Sequence, residues 1–203
     1  MPERQHGRSP DGAASPRRDQ EAYDYLKEWA ITGDDDHAEV PFLNLKNVDV
    51  FEEPSIFLDH FAKLSHAVAV TLIKIRLLLD LRALQKLGAS RGSLSQELVD
   101  QTRAQLVSDR VRNDMGLLHS DDLLLRIRRL ETQVDQMYRC VQKSNKFFWP
   151  AVLDPGPHVG RRPYSFMLGS NNEMQLVMCY PCAGWEETPG AVDVIREKMT
   201  GSI

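Results

Sequence analysis

Residues 120–148 read SDDLLLRIRRLETQVDQMYRCVQKSNKFF. Within them Leu123, Ile127, Leu130, Val134, Met137, Val141, Ser144 and Phe148 recur at alternating steps of four and three. That is the a/d seam of a heptad helix, interrupted only by Ser144. Ser120 is placed to cap it, and Asp121 and Asp122 suit the positive end of the helix dipole. Trp149-Pro150 marks the stop. The seam is only about three and a half heptads long, near the lower limit for an independent coiled coil. It therefore predicts one half of a helix pair.

The other half lies upstream. Glu52-Glu53-Pro54-Ser55 has the acidic and proline signals of a helix start, and Gly88 those of a helix end. The spacing predicts a helix over 55–87 with two apolar seams. One is Phe61, Val68, Leu72, Ile75 and Leu79; the other is Val70, Ile73, Leu77, Leu81 and Leu84. A helix with two seams is covered on two sides, as in a bundle interior or a shared interface. Whether its second seam faces this chain or another is open at this stage. Between the two long helices, Ser93 and Gln96 suggest a capping box opening a thin-faced helix from Leu94. Further upstream, Asp19 is placed to cap a short helix over 20–32, with Ala22, Tyr25, Leu26, Trp29 and Ala30 as its apolar side. Val40 to Phe51 reads as an extended segment or very short strand.

Downstream, Phe147, Phe148 and Trp149 form an aromatic end-plug. Three consecutive rings do not all point to one side of a helix, so they divide between intrachain packing and a partner surface. Asp154-Pro155-Gly156-Pro157 is a linker signal. Tyr164 to Leu168 and Met174 to Tyr180 read as two strands around a Gly169–Asn172 turn. Thr188-Pro189 then opens a short helix through Met199, with Val192, Ile195 and Met199 on one side. The expected organisation is a disordered tail over 1–19, a helical domain over 20–150 and a small cap over 151–203.

Composition sets the class. With 42% hydrophobic and 27% charged residues, the chain has the balance of a soluble globular protein that folds without metals or disulfides. The net charge of −4 is unevenly spread: residues 1–54 hold 6 Lys+Arg against 13 Asp+Glu, and residues 55–148 hold 15 against 10. Arg126, Arg128 and Arg129 are interspersed with Glu131 and Asp135, so nucleic acid is not the expected partner. The most apolar run, Ala67 to Leu87, contains Lys74, Arg76, Asp80, Arg82 and Lys86, so no transmembrane segment is expected. Three cysteines and a polar N-terminus point to a reducing interior, cytoplasmic or nuclear.

Chemical motifs are sparse. Asp34-Asp35-Asp36-His37 lacks the glycine and distal glutamate of a calcium loop, and reads as a solvated loop. Ser9-Pro10 and Ser15-Pro16 are candidate proline-directed phosphorylation sites. Cys179 and Cys182 form a C-x-x-C, which supports an alternative reading as a zinc- or thiol-dependent module. Zinc needs four ligands, and no second pair stands nearby; Cys140 and His158 are the nearest candidates. No nucleophile elbow, phosphate loop or zinc-protease motif is present. No catalytic residue and no cofactor is expected.

The expected fold is mainly α, a helical bundle or coiled-coil hairpin of long helices with a small C-terminal β-hairpin-plus-helix appendage. The expected function is that of a non-enzymatic adaptor or complex subunit binding protein partners, in a hetero- or homo-oligomer, through its helices. The candidate contact residues are Leu123, Ile127, Leu130, Val134, Met137, Val141, Phe148 and Trp149.

Overall fold

The computed structural model describes residues 19–32, 45–58, 63–89, 95–119, 121–158, 160–179 and 182–201, with the side chains of 115, 119, 182 and 183 outside the description. The expectations for residues 1–18 (Ser9 and Ser15 among them), Asp34 to His37, Phe61, Ser93 and Ser120 lie outside these residues. The described chain forms α1 (Asp19–Thr32), α2 (Leu64–Gly88), α3 (Gln96–Gln105), α4 (Asp109–Asn113), α5 (Leu123–Ser144), α6 (Phe148–Leu153), α7 (Asn171–Met178), α8 (Cys182–Glu186) and α9 (Ala191–Thr200). Two 3₁₀ turns, Ser55–Phe57 and Met115–His119, complete it. The fold is mainly α, and no helix among the described residues is long and apolar enough to cross a membrane.

Everything is arranged around α2. Its apolar residues run round most of its circumference, the composition of a helix buried on all sides. Val68, Leu72, Ile75, Val70, Ile73, Leu77, Leu81 and Leu84 are buried, and Leu79 is half-buried. So the described residues of both seams are covered by this chain. α5 lies along α2, while α1, α9 and the α3–α4 segment cover the remaining sides. Arg82 meets Glu131 at 2.8 Å, and Cys140 reaches the Phe57 carbonyl just ahead of α2 at 3.7 Å. The two long helices therefore run in opposite directions.

Several boundaries differ from expectation. α2 begins at Leu64, not at 55: residues 55–57 instead make a 3₁₀ turn that seats Phe57 in the core, 5.8 Å from the Tyr23 ring. α1 buries Tyr23 and Leu26, whereas Tyr25 faces solvent. α3 is capped by Ser95, whose hydroxyl accepts from the Leu98 amide, two residues beyond the expected cap. α5 stops at Ser144. Asn145 adopts an extended backbone, and Phe148 opens the separate helix α6. Pro150 lies in the first turn of α6, where its missing N–H leaves no helical bond unmade, so it does not stop the chain.

The largest correction is the C-terminal β-hairpin. No β-strand occurs among the described residues, and Met174 to Met178 belong to α7. Met174, Val177 and Met178 are buried at helical spacing. The physical reason lies in Ser170 and Glu173. The Ser170 hydroxyl accepts from the Glu173 amide at 3.2 Å, and the Glu173 carboxylate reaches back to the Gly169 amide at 2.7 Å. These bonds close an N-terminal cap of the capping-box kind where a β-turn was expected.

Three charged side chains of α2 are sunk in the interior and tie loops to it. Asp80 accepts from the amides of Val107 and Ser108 at 2.9 and 2.6 Å, fixing the entry to α4; burial raises its pKa to about 6 against the pull of those two bonds. Arg76 pairs with Asp19 at 2.6 Å and donates to Thr188. Lys74, fully buried, donates to the carbonyls of Val50 and Glu52 at 2.6 and 2.7 Å.

Burial lowers the Lys74 pKa to about 8, with the Glu52, Asp49 and Glu53 carboxylates pulling it back up. A folded pKa below the unfolded value means stability that is present above the unfolded pKa and lost as pH falls through 8. Between pH 8 and about 10 this lysine should add about 2–3 kcal/mol to the unfolding free energy. Above that window the buried Tyr23 phenol, its pKa pushed up by burial and Glu52, works the other way. Urea unfolding of the wild type against Lys74→Met across pH 7–10 measures this. Parallel pH profiles of the two proteins would refute it.

Candidate partner-binding surface

The heptad residues take their places first. Leu123, Ile127, Leu130, Val134, Met137 and Val141 are all buried, facing the core built around α2. Phe148 and Trp149 are buried too. Trp149 stacks on Tyr138 with centroids 5.3 Å apart and planes 10° apart. It meets Phe148 and Trp185 edge-on at 5.2 and 5.7 Å, and its indole N–H donates to the Tyr138 carbonyl at 3.0 Å. The aromatic end-plug thus divides two to one. Phe147 alone is exposed, with the Lys146 ammonium 5.1 Å from its ring centroid.

Exposed large apolar side chains also occur on α1, α3, α5 and α9, but among the described residues they are densest on a non-helical strap over residues 161–168. Tyr164 is fully exposed, Met167 is 77% and Leu168 86% exposed, and Phe166 is exposed beside them. Scattered exposed apolar side chains are ordinary; four large ones in five positions are a local concentration.

The strap is anchored at both ends. At its start the Cys179 thiol donates to the Arg161 carbonyl at 3.4 Å, and the Arg161 amide to the His158 carbonyl. In its middle the Asn172 side-chain amide donates to the Ser165 carbonyl at 3.2 Å. At its end the Ser170 amide closes a turn on Met167. The strap therefore runs back along α7, from the Cys179 end to the Ser170 end. Gly169 sits at φ 72°, and a Cβ there would stand 3.3 Å from the Ser144 carbonyl. Glycine removes both the backbone penalty and that close contact.

Asn145 locks this end to α5. Buried in the break after the helix, it donates to the Ser170 carbonyl at 2.9 Å and to Glu173 at 3.0 Å, and its own oxygen accepts from the Phe147 amide. The strap is thus tied to the helical body through the α5–α6 break and α7, while its apolar side chains point away.

The cysteines play anchoring parts here. Cys179 is a free thiol that donates to the Gln175 and Arg161 carbonyls. Cys182 opens α8, and its side chain lies outside the description. Cys140 is a free, half-buried thiol whose pKa is raised by burial, opposite to the shift that activates a thiolate. Among the described residues, no group of three or more His, Cys, Asp or Glu side chains is placed to hold a metal. A cleft of about 270 Å³ at the start of α5 is lined by Asp49, Phe51, Asp122, Leu125, Arg126, Arg129 and Leu130. It pairs two carboxylates with two guanidinium groups and contains neither a histidine nor a hydroxyl or thiol nucleophile.

The chain matches no known protein family, and no curated protein or solved structure is detectably similar to it. Its surface is therefore read from its own chemistry. The strap had a sequence signal: Ser170-Asn171-Asn172-Glu173 is a capping box and identifies α7, which leaves Tyr164 to Leu168 without a strand partner.

Proposed function

We propose that this protein is a non-enzymatic helical adaptor or subunit of a protein complex, and that its partner is held on the 161–168 strap. The helical-bundle core supplies the rigid support in this reading. The heptad residues Leu123 to Val141, with Phe148 and Trp149, serve that support; a coiled-coil contact with another chain would require α5 to turn outward. The observation that carries the proposal is an apolar strap fixed at both ends yet uncovered: Tyr164, Met167 and Leu168 are exposed on a backbone bonded to α7. Free thiols at Cys140 and Cys179 suit the cytoplasm or nucleus, where reducing conditions keep them so.

Site-specific photo-cross-linking tests this. A benzophenone side chain at Met167 in the native cell should give one dominant adduct with another protein. The same group at Glu97, on the exposed face of α3, should not. A Met167 probe that yields no adduct, or only the diffuse adducts of the Glu97 probe, would remove the strap as the binding surface.

A further inference from the structure

We infer that the strap receives an acidic, apolar peptide segment of the partner protein, held by the basic side chains at its two ends. The inference rests on the adaptor reading above and names the partner's chemistry. Its ground is charge. In residues 136–172 the single carboxylate is Asp154, although the whole chain carries 29 Asp+Glu against 25 Lys+Arg. Glu173, next in sequence, is buried and bonded to Asn145 and Gly169.

Basic side chains stand at both ends of the strap. Arg161 and Arg162 open it and are exposed. Lys143 and Lys146, also exposed, flank Ser144, whose carbonyl lies close to Gly169, and Asn145, whose side-chain amide donates to the Ser170 carbonyl at the strap's close. An apolar centre between two basic ends is complementary to apolar residues flanked by Asp or Glu. Opposite charges across such a rim raise encounter rates and exclude like-charged competitors. A second copy of this chain is disfavoured on the same ground, because basic ends would face each other.

The main chain favours a peptide over a lipid surface. Among the described residues, the amide N–H groups of Tyr164, Ser165, Phe166 and Met167 have no hydrogen-bond partner. Sinking them into a bilayer would leave each unsatisfied. A peptide brings its own carbonyls to them and adds side-chain selectivity, as in recognition by main-chain pairing.

The test is selection of random peptides of about ten residues, displayed on phage, against the immobilised full chain. Enriched peptides should carry Asp or Glu next to aromatic or aliphatic residues. Their binding should be lost in the Tyr164→Ser, Met167→Ser, Leu168→Ser variant. It should weaken about tenfold in the Lys143→Glu, Lys146→Glu, Arg162→Glu variant, and fall with added salt. All these substitutions are at exposed positions, and unchanged circular dichroism would verify the fold.

Strap-dependent peptides without acidic residues, indifferent to the charge variant, would overturn the inference and leave the adaptor reading standing. Selection that yields no strap-dependent peptide also overturns it, while the Met167 cross-link independently decides the adaptor reading. Strap-dependent co-sedimentation with phosphatidylserine-containing vesicles, absent with pure phosphatidylcholine, would overturn it in favour of a lipid surface.

Discussion

Asp19→Asn is expected to lower the unfolding free energy by about 3–5 kcal/mol and the melting temperature by roughly 10 °C. The change keeps the side chain's shape and removes only its charge. Asp19 and Arg76 are a buried pair, 4% and 10% exposed at their side chains, joined at 2.6 Å. The guanidinium is held on its other edges by the Thr188 hydroxyl at 3.0 Å and the Gly184 carbonyl at 3.3 Å. Neither of those neutral groups supplies a counter-charge. Without the carboxylate, a cation remains in a medium that solvates it poorly.

The pair also joins the start of α1, the middle of α2 and the α8–α9 turn. Gly184 is tight against it: a Cβ there would stand 3.1 Å from Leu72 and 3.4 Å from an Arg76 nitrogen. The double variant Asp19→Leu, Arg76→Met should recover most of the loss, because replacing both charges with apolar groups removes the desolvation cost along with the attraction. Chemical unfolding of the wild type and the two variants measures this. An Asp19→Asn protein within about 1 kcal/mol of the wild type would mean that the pair is solvated, contrary to its burial.

Trp149→Ala should cost a similar amount, about 3–5 kcal/mol, by a different route. Here the loss is packing. The indole is 1% exposed, stacked on Tyr138 and met edge-on by Phe148 and Trp185. Its removal leaves a cavity where α5, α6 and α8 meet, and each ring pair forfeits about 0.5–1.5 kcal/mol beyond its buried area. Trp149→Phe should lose less, keeping much of the volume but not the bond to the Tyr138 carbonyl. Thermal unfolding and the near-ultraviolet dichroism of the aromatic cluster check both variants. An alanine variant as stable as Phe147→Ala, whose ring is exposed, would contradict the division of the three aromatic residues.

That division marks where sequence reading runs out. The heptad spacing identified α5, and the two seams identified α2, because periodicity reports which face is apolar. It does not report what covers that face. A seam that could have met another chain lies along α2, and Leu72 and Leu79 of α2 face Gly184 and Gly190, the residues leading into α9. The break at Asn145 was not legible. Phe148 continues the heptad count, and only the side-chain bonds to Ser170 and Glu173 reveal why the chain turns there.

Tyr23 and Tyr25 show the same limit at smaller scale. Two aromatic residues lie two positions apart on one helix, and the buried one is settled by Phe57 and Glu52 from another part of the chain. α7, by contrast, was legible and misread. The Gly169–Asn172 stretch read as a hairpin turn between two strands, but the Ser170–Glu173 bonds make it the start of a helix.

The all-round burial of α2 has a consequence for synthesis. Its covering helices are encoded out of order: α5 begins at Leu123 and α9 ends at Thr200, well after Gly88 has left the ribosome. At ordinary elongation rates the interval from Gly88 to Thr200 lasts roughly ten seconds. At its start this largely apolar helix has only the segments made before it, α1 among them, for shelter, and its cover is complete only with α9. The nascent chain is therefore expected to depend on a holding chaperone until α9 emerges. Ribosome-arrested chains ending before Ala191 should be captured by such a chaperone and released when the arrest point passes Thr200.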